Sequence, residues 1–147
     1  MPDPRKKTVE DLFARLSARQ FGTLEEVLDD DAVFDVAYSP EDSSFPNPVK
    51  GAKAIQGMFE TGVASMFSRL DFKVLETYLG QESDVIVVEY ASSGVAAPTG
   101  RPYSNRYVGI FTVRGGRVAR WREYHNPERM VEAFGNPSGR SSRGGPA

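Results

Sequence analysis

The chain has 147 residues, 39% of them hydrophobic and 11% aromatic, and 18 basic against 20 acidic side chains give a net charge of −2. This length suits one domain that buries a core without disulfides or structural metals. With no cysteine and one histidine, the composition excludes thiol nucleophiles, disulfide frameworks and zinc sites built from thiolates or several imidazoles. The charge argues against nucleic-acid binding, and no apolar run approaches the ~18 residues of a membrane span. The chain begins without the apolar stretch of a secretory signal, so we expect a cytoplasmic location.

Two helices are predicted before the first strand. Thr8 is followed three residues later by Asp11, as in a capping box, and the apolar residues behind it recur at helical spacing. Gly22 is a suitable helix end, and Thr23 with Glu26 repeats the capping pattern. We therefore predict one helix that starts at residue 8 and a short second helix that starts at residue 23.

The middle of the chain contains strand, loop and helix signals in turn. Residues 32–38 are rich in branched and aromatic side chains and predict a β-strand, whereas residues 39–50 hold three prolines and predict a loop. An apolar stripe at helical spacing then predicts the longest helix, starting at Gly51. The stripe consists of Ile55, Met58, Phe59, Val63, Met66, Phe67 and Leu70.

The rest of the chain is dominated by strand signals. Segments rich in Val, Ile, Tyr, Phe and Thr predict strands at residues 72–79, 84–93, 103–114 and 117–125. Asn126 and Pro127 predict the start of a last helix that ends at Gly135. Residues 136–147 have the composition of a disordered tail, so the folded domain is predicted to span residues 8–135.

This order of elements predicts the fold class. Helices grouped early and strands that follow one another later are typical of an α+β domain with a mostly antiparallel sheet. We expect that sheet to be curved, with the helices covering its concave face.

The predicted hairpin at Gly115-Gly116 indicates which side chains share a face. A regular two-residue loop pairs Arg114 with Arg117, Val113 with Val118, Ile110 with Trp121, Val108 with Glu123 and Arg106 with His125. One face then carries Arg106, Val108, Ile110, Trp121, Glu123 and His125. The other face carries Tyr107, Gly109, Phe111, Arg120, Arg122 and Tyr124, and we expect it to be an outer, partly wet or dimer-facing surface.

Glu123 has two interpretations. As a structural residue it would form a salt bridge with Arg106 on the neighbouring strand. As a functional residue it would be a carboxyl group in an apolar cavity, with a pKa raised by burial, serving as general acid or base. His125 and Trp121 likewise fit either a structural role, as a hydrogen-bonded strand end and a core residue, or a place in the site.

The late hairpin and its exit resemble the SnoaL-like branch of the nuclear transport factor 2-like superfamily. The resemblance is carried by residues 107–127, YVGIFTVRGGRVARWREYHNP, and by TGRPY at residues 99–103. DDDAVF at residues 29–34 and GAKAI at residues 51–55 agree with it in the right order. The resemblance implies a cone in which a curved sheet wraps a deep pocket closed by helices, usually as a homodimer. Members include polyketide cyclases, ketosteroid isomerase, limonene epoxide hydrolase, phenazine-pathway proteins and carriers.

Compared with these relatives, the chain keeps one site carboxylate and lacks others. The Trp121–Tyr124 segment is similar to the one that carries an essential aspartate in the epoxide hydrolases and an essential glutamate in the phenazine-pathway proteins, which points to Glu123. Val36 stands where several family enzymes place a carboxylate or amide, and alternation turns Asp35 to the other face unless the strand is bulged. Tyr90 and Ser92 replace an arginine and an aspartate of the epoxide hydrolases, so their water-activating arrangement is not reproduced.

These considerations give a hypothesis for the reaction and its site. The expected catalytic residues are Glu123, His125, Tyr38, Tyr90 and Arg106. The expected substrate-binding residues are Phe34, Val36, Met58, Phe59, Met66, Ser92, Val108, Ile110 and Trp121. We expect neither cofactor nor metal, because no dinucleotide, phosphate-loop or nucleophile-elbow motif is present. The leading hypothesis is a cyclase, or a related dehydratase or isomerase, acting by proton transfer on a polyketide or similar apolar natural-product intermediate. An epoxide hydrolase and a non-catalytic small-molecule carrier remain alternatives.

Overall fold

The computed structural model describes residues 3–39 and 47–135. The helical elements are α1 (Pro4–Ser17), a 3-10 helix (Phe21–Glu26), α2 (Ala52–Gly57), a π-helical segment (Met58–Val63), α3 (Ala64–Met66) and α4 (Pro127–Phe134). The strands are β1 (Leu28–Val36), β2 (Val49–Lys50), β3 (Phe67–Leu79), β4 (Val85–Ala96), β5 (Pro102–Arg114) and β6 (Arg117–His125). The predicted tail at residues 136–147 and much of the predicted loop lie outside the described residues.

The strands form one curved, open sheet of six strands in the order β2-β1-β6-β5-β4-β3. All neighbouring strands are antiparallel except β1 and β6, which are parallel. The predicted α+β class with a mostly antiparallel curved sheet is confirmed. Because β6 lies between β1 and β5, side chains of the first strand lie next to side chains of β6 on each face of the sheet.

The helix α1 covers one face of the sheet, called the inner face below. Leu12, Phe13 and Leu16 are buried there. The ring of Phe13 lies 4.3 Å from that of Tyr90 and 5.9 Å from that of Trp121, measured between centroids. The main core therefore sits between α1 and the central strands, with the site described below at its margin.

Two predicted boundaries near the start of the chain are wrong. The first helix begins at Pro4 with Asp3 as its cap, since the Asp3 carboxylate accepts a hydrogen bond from the Arg5 backbone N–H. Thr8 lies inside this helix, where its hydroxyl donates to the Pro4 carbonyl instead of capping. The first strand runs from Leu28 to Val36 rather than over residues 32–38, so Tyr38 lies beyond its end.

The predicted longest helix is interrupted and shorter. It consists of α2, the π-helical segment and α3, and it ends at Met66. Phe67 and Leu70 belong to β3, where they lie opposite Ala96 and Gly94. Pairing with β4 supplies backbone partners over the whole length of β3, and this long-range ladder overrides the helical spacing of the two side chains.

The last helix agrees with its prediction. The Asn126 side chain accepts a hydrogen bond from the Glu128 backbone N–H, Pro127 occupies the first turn, and the helix is followed by Gly135 with φ of 86°. Within the described ranges, no helix combines the length and apolar character required to cross a membrane.

Candidate functional site

An extra residue in β6 decides which side chains share the inner face. Val113 lies opposite Val118 as predicted, but Thr112 lies opposite Arg120 because Ala119 is bulged out of the ladder. From there on, each residue of β6 pairs one position away from the predicted register. Trp121 lies opposite Phe111 and Glu123 lies opposite Gly109.

The predicted grouping of Arg106, Val108 and Ile110 with Glu123 is therefore wrong. These residues occupy the face of β5 opposite to α1, called the outer face below, where Val108 lies opposite Tyr124. The expected salt bridge between Arg106 and Glu123 is also wrong, because the two side chains project from opposite faces of the sheet.

Tyr38 and Asp35 also lie away from Glu123. The Tyr38 side chain is 69% exposed, and its ring lies 5.4 Å from that of Tyr124 on the outer face. Tyr38 was expected at the rim of the inner cavity, which is wrong because the strand ends at Val36. The Asp35 carboxylate accepts a hydrogen bond of 3.1 Å from Arg122 Nε on the outer face, as alternation from Val36 requires.

Glu123 is the acidic centre of the inner face. Only 13% of its side chain is exposed. The Tyr90 hydroxyl donates to Glu123 Oε1 at 2.6 Å, and Trp121 Nε1 donates to the Tyr90 oxygen at 3.2 Å. This chain of hydrogen bonds, from Trp121 to Tyr90 and from Tyr90 to Glu123, holds the carboxyl group in one orientation. The other carboxylate oxygen, Oε2, has no hydrogen bond shorter than 3.5 Å among the described residues.

Gly109 makes this contact possible across an intervening strand. Tyr90 belongs to β4 and Glu123 to β6, so the Tyr90 side chain reaches over β5. A Cβ atom placed on Gly109 would lie 2.9 Å from the Tyr90 ring and 2.6 Å from the Phe111 ring. A side chain at this position would displace Tyr90, so the glycine opposite Glu123 is part of how the carboxyl group is positioned.

Burial sets the ionisation of the groups around Glu123. It raises the pKa of the Glu123 carboxyl to about 7, a rise that the hydrogen bond from Tyr90 opposes. The pKa of the Tyr90 phenol is raised by burial and by the nearby Glu123 charge, so this phenol stays protonated. Burial lowers the pKa of His125. Near neutral pH, Glu123 therefore exists in both protonation states beside a neutral imidazole.

His125 is next to the free oxygen of Glu123. Its Nδ1 lies 3.8 Å from Glu123 Oε2, and 18% of its side chain is exposed. Nδ1 itself is buried and has no hydrogen-bond partner among the described residues. A ligand or water at this point would meet one carboxylate oxygen and one imidazole nitrogen, both of which have hydrogen-bonding capacity left over.

A second polar group on the inner face contains the predicted site residue Ser92 together with Tyr103, Asn105 and Tyr107, which were not predicted as site residues. The hydroxyls of Ser92 and Tyr107 are 2.7 Å apart, and those of Tyr107 and Tyr103 are 3.0 Å apart. Asn105 donates to the Tyr103 oxygen at 2.9 Å. Tyr103, Tyr107 and Phe111 recur every four residues along β5, so alternation predicts that they share a face, whereas the pairing with β6 decides that this is the face of Glu123.

The predicted apolar lining is brought together only in part. Phe34 and Phe59 pack against Trp121, with ring centroids 4.6 and 5.9 Å away, and Val36 lies beside Glu123 in β1. Trp121 is only 2% exposed, so it contributes its indole N–H to the site and its rings to the core. Met58 packs at the edge of the main core, and Met66 packs against a smaller cluster near α4.

An open groove of about 700 Å³ lies mainly on the outer face. Its lining residues are Leu75, Glu76, Tyr78, Glu89, Tyr90, Arg106, Tyr107, Val108, Tyr124, His125 and Asn126. Most of these side chains project away from α1, whereas Glu123 is not among them. The groove therefore reaches His125 but does not include the buried carboxyl group of Glu123.

The described part of the chain offers little for a metal ion. Within residues 3–39 and 47–135, no three His, Cys, Asp or Glu side chains are grouped closely enough to hold one. The groups that these residues do bring together are a carboxyl group that can exchange a proton, Glu123, and hydroxyl groups that can form hydrogen bonds.

Comparison with known proteins agrees with the fold and the order of elements. An uncharacterized protein of Bacillus subtilis, YesE, is 29% identical over 129 residues, covering 88% of this chain and 86% of that protein. A solved structure from Bacillus subtilis, provisionally described as an isomerase, is 28% identical with a TM-score of 0.80, covering 90% of this chain and 94% of the other. One from Jannaschia sp. CCS1, provisionally described as a SnoaL-like polyketide cyclase, is 19% identical with a TM-score of 0.72, covering 91% of this chain and 93% of the other.

The family model of the SnoaL-like domain matches residues 9–121 of this chain. The chain, with its curved sheet closed on one side by helices, belongs to the SnoaL-like family of the nuclear transport factor 2-like superfamily.

Proposed function

We propose that this protein is a cofactor-independent enzyme that moves a proton on a small, largely apolar carbonyl compound, with Glu123 as the proton carrier. The substrate class that fits best is a polyketide or similar natural-product intermediate, and the reaction is a cyclisation or a related dehydration or isomerisation. The observation that carries this proposal is one buried carboxyl group, Glu123, held by Tyr90 at 2.6 Å with its second oxygen free.

The ionisation of Glu123 suits this task. General acid–base catalysis is most efficient when the pKa of the group is near the working pH. Burial raises the pKa of Glu123 to about 7, so the ionised form accepts a proton and the protonated form returns it at similar concentrations. Aromatic and aliphatic neighbours suit a substrate with few polar groups.

The proposed step balances without a co-reactant. Ionised Glu123 takes a proton through Oε2 from a carbon next to a substrate carbonyl, and the electron pair of the C–H bond moves into an enolate. Return of the proton at another carbon gives an isomer. Attack of the enolate carbon on an internal carbonyl gives a ring, and the alkoxide formed there takes the proton back from Glu123. Tyr90 keeps the carboxyl group oriented, and neutral His125 lies beside Oε2 as a positioning residue.

The alternatives make different demands on the site. An epoxide hydrolase of the kind that the family contains uses several polar groups to activate water, and among the described residues Asp35 and Arg106 both project from the opposite face. A carrier would need only the apolar cavity, with the Tyr90–Glu123 hydrogen bond as architecture. Both are outcomes of the experiment below.

The experiment measures exchange of the α-protons of 1-tetralone, a bicyclic aryl ketone, with deuterium in D2O by proton NMR. We expect the wild-type protein to accelerate exchange, with a rate that rises as pH passes about 7, and Glu123→Gln to lower the rate by a factor of ~10²–10⁴. The matched control is Glu89→Gln, which changes an exposed glutamate of the outer face and should leave the rate unchanged.

Three results would contradict the proposal. Exchange by Glu123→Gln at the wild-type rate would remove Glu123 from the chemistry. Binding of the ketone without accelerated exchange would favour a carrier. Formation of a diol containing solvent oxygen from an epoxide substrate would favour a hydrolase. Titration of Glu123 by carbon NMR adds a test without substrate, since an observed pKa near 4.5 would remove the basis for acid–base work at neutral pH.

We further propose that the protein works as a homodimer in which the outer face is the contact surface. This face presents the exposed rings of Tyr38 and Tyr78, together with Tyr124, Arg106 and Glu89. Aromatic side chains and arginine are enriched at protein interfaces. Opposite charges on one patch suit a twofold contact, in which each copy presents both signs to the other.

A further inference from the structure

We propose that the hydroxyl pair of Ser92 and Tyr107 is the oxygen-binding end of the site, where it donates one hydrogen bond to an uncharged carbonyl oxygen of the ligand. This inference rests on the proposed function and adds to it a defined substrate feature, a ketone-type oxygen near the carbon that faces Glu123.

The direction of the hydrogen-bond chain is set by Asn105. Its Oδ1 accepts from the backbone N–H groups of Arg106 and Asn126 at 2.9 and 3.3 Å. Its Nδ2 donates to the Asn126 carbonyl at 3.0 Å and to the Tyr103 oxygen at 2.9 Å. Because backbone groups have fixed polarity, the amide has one orientation, and Tyr103 must be the acceptor of this bond.

Tyr103 then passes its own hydrogen to Tyr107. Its hydroxyl is 3.0 Å from that of Tyr107. Apart from Ser92, which lies nearby without a hydrogen bond shorter than 3.5 Å, Tyr103 packs against apolar groups, including Phe67 at 5.0 Å between ring centroids and the buried Ala133. A hydroxyl hydrogen directed at such neighbours would be unsatisfied at a cost of ~1–3 kcal/mol, so the favourable direction is toward Tyr107.

One hydrogen is therefore left over at Ser92 and Tyr107. These two hydroxyls carry two hydrogens but share one contact of 2.7 Å. Neither hydroxyl has another acceptor within 3.5 Å among the described residues, although both residues are buried, with 5% and 7% exposed. Buried polar hydrogens are nearly always satisfied, so a ligand oxygen that accepts this hydrogen would complete the network.

No other predicted phenol can serve as this donor. The hydrogen of Tyr90 is already donated to Glu123 at 2.6 Å, and Tyr38 lies on the outer face. Tyr107 is next to both working groups, since its ring stacks on that of Tyr90 with centroids 4.7 Å apart and it lies opposite His125 in the sheet. A carbonyl bound at Tyr107 would thus lie close to Tyr90 and His125, on the same face of the sheet as Glu123.

The charge of the inner face favours a ketone over a carboxylate. None of the described strand residues on this face is Lys or Arg, and the ionisable groups near Tyr107 are Glu123 and His125. A bound carboxylate would lie close to the partly ionised Glu123 without a cation to offset the repulsion. The leftover hydroxyl hydrogen, by contrast, suits a neutral oxygen that gains negative charge as an enolate forms.

The test uses 1-tetralone and its hydrocarbon counterpart tetralin, with the carbonyl stretch of the bound ketone read by infrared difference spectroscopy. We expect the wild type to prefer the ketone and to lower its carbonyl frequency. The double variant Ser92→Ala with Tyr107→Phe should abolish the frequency change and reduce the affinity ratio of ketone to hydrocarbon by about threefold to tenfold. Tyr78→Phe removes a phenol from the outer face and should change neither value.

The outcome is separate from that of the proton-transfer test, because a carbonyl frequency is a ground-state measurement. Glu123→Gln should keep the frequency change even though it loses exchange, so either proposal can fail alone. An unchanged frequency in the double variant, or a wild type that binds both compounds equally, would overturn the oxygen site. If the double variant does not fold, the single variants Ser92→Ala and Tyr107→Phe are measured against Tyr103→Phe. At least one of the two must reduce the shift of the carbonyl frequency more than Tyr103→Phe does, and otherwise the oxygen site is overturned.

Discussion

In the proposed function, a single buried glutamate carries the chemistry of the inner face. A carboxyl group in an apolar environment is usually stabilised by a cation, but Glu123 is held by a phenol and lies beside a neutral imidazole. A phenol donates one hydrogen bond without adding positive charge, so burial outweighs it and the pKa of Glu123 rises to about 7. The same arrangement that makes the group useful for proton transfer makes its ionised form costly.

Replacement of Glu123 by glutamine should therefore stabilise the fold at alkaline pH. The folded-state pKa of Glu123 lies above its usual 4.5, so stability present below pH 4.5 is lost as pH rises through about 7. A rise of this size corresponds to about 3 kcal/mol. We therefore compare the free energies of unfolding of Glu123→Gln and the wild type by urea denaturation. We expect the value of the variant minus that of the wild type to increase from pH 5 to pH 8.

The control for this prediction is Glu10→Gln, on the exposed side of α1. It should follow the wild type at every pH. A difference in the free energy of unfolding between Glu123→Gln and the wild type that stays constant from pH 5 to pH 8 would contradict the raised pKa. It would show that Glu123 binds no more protons in the folded wild type than in the unfolded chain over this range.

At the scale of elements, one bulged residue controls the composition of the site. Ala119 is accommodated without a partner in β5, and every later residue of β6 pairs one position further along than in a regular hairpin. The bulge brings Tyr107 and Gly109 to the face of Glu123 and turns Arg106 away. A regular hairpin would have placed a guanidinium group beside the carboxyl group, and an ion pair there would lower its pKa.

This register can be tested with engineered disulfides, because the chain has no cysteine of its own. Directly opposed residues of antiparallel strands have Cα atoms within the range of separations that a disulfide bridges. We expect Val108→Cys with Tyr124→Cys to oxidise readily, as judged by loss of free thiols. The matched pair Val108→Cys with Glu123→Cys should remain reduced, and preferential oxidation of this second pair would favour the regular register.

At the scale of the whole molecule, the two faces of the sheet have separate roles. The inner face is covered by α1 and carries the site. The outer face remains uncovered by the described helices, and its exposed tyrosines and mixed charges form the groove of about 700 Å³. The proposed homodimer would bury this face and leave the inner face of each copy to its own ligand.

The expected mass in solution is therefore twice the chain mass of 16.2 kDa, as measured by light scattering after gel filtration. Tyr78→Glu adds a negative charge beside Glu76 and Glu89 in the centre of the groove and should shift the protein toward the monomer mass. Gln20→Glu adds the same charge at an exposed position after α1 and should not. A wild-type mass equal to one chain at ~100 µM would contradict the dimer, since specific interfaces usually bind more tightly.

The amino-acid sequence alone determined the fold class, most strands and the last helix, and it singled out Glu123 as a candidate, because these depend on local periodicity, capping residues and composition. The face that Arg106, Val108 and Tyr107 occupy was decided only by tertiary structure, because Ala119 carries no local signal for a bulge and one inserted residue inverts the alternation. The end of α3 and the position of Tyr38 were likewise decided by long-range pairing. The lone histidine, His125, lies beside Glu123 as predicted. The residue opposite it, Tyr107, comes from β5, and only the folded sheet fixes that pairing.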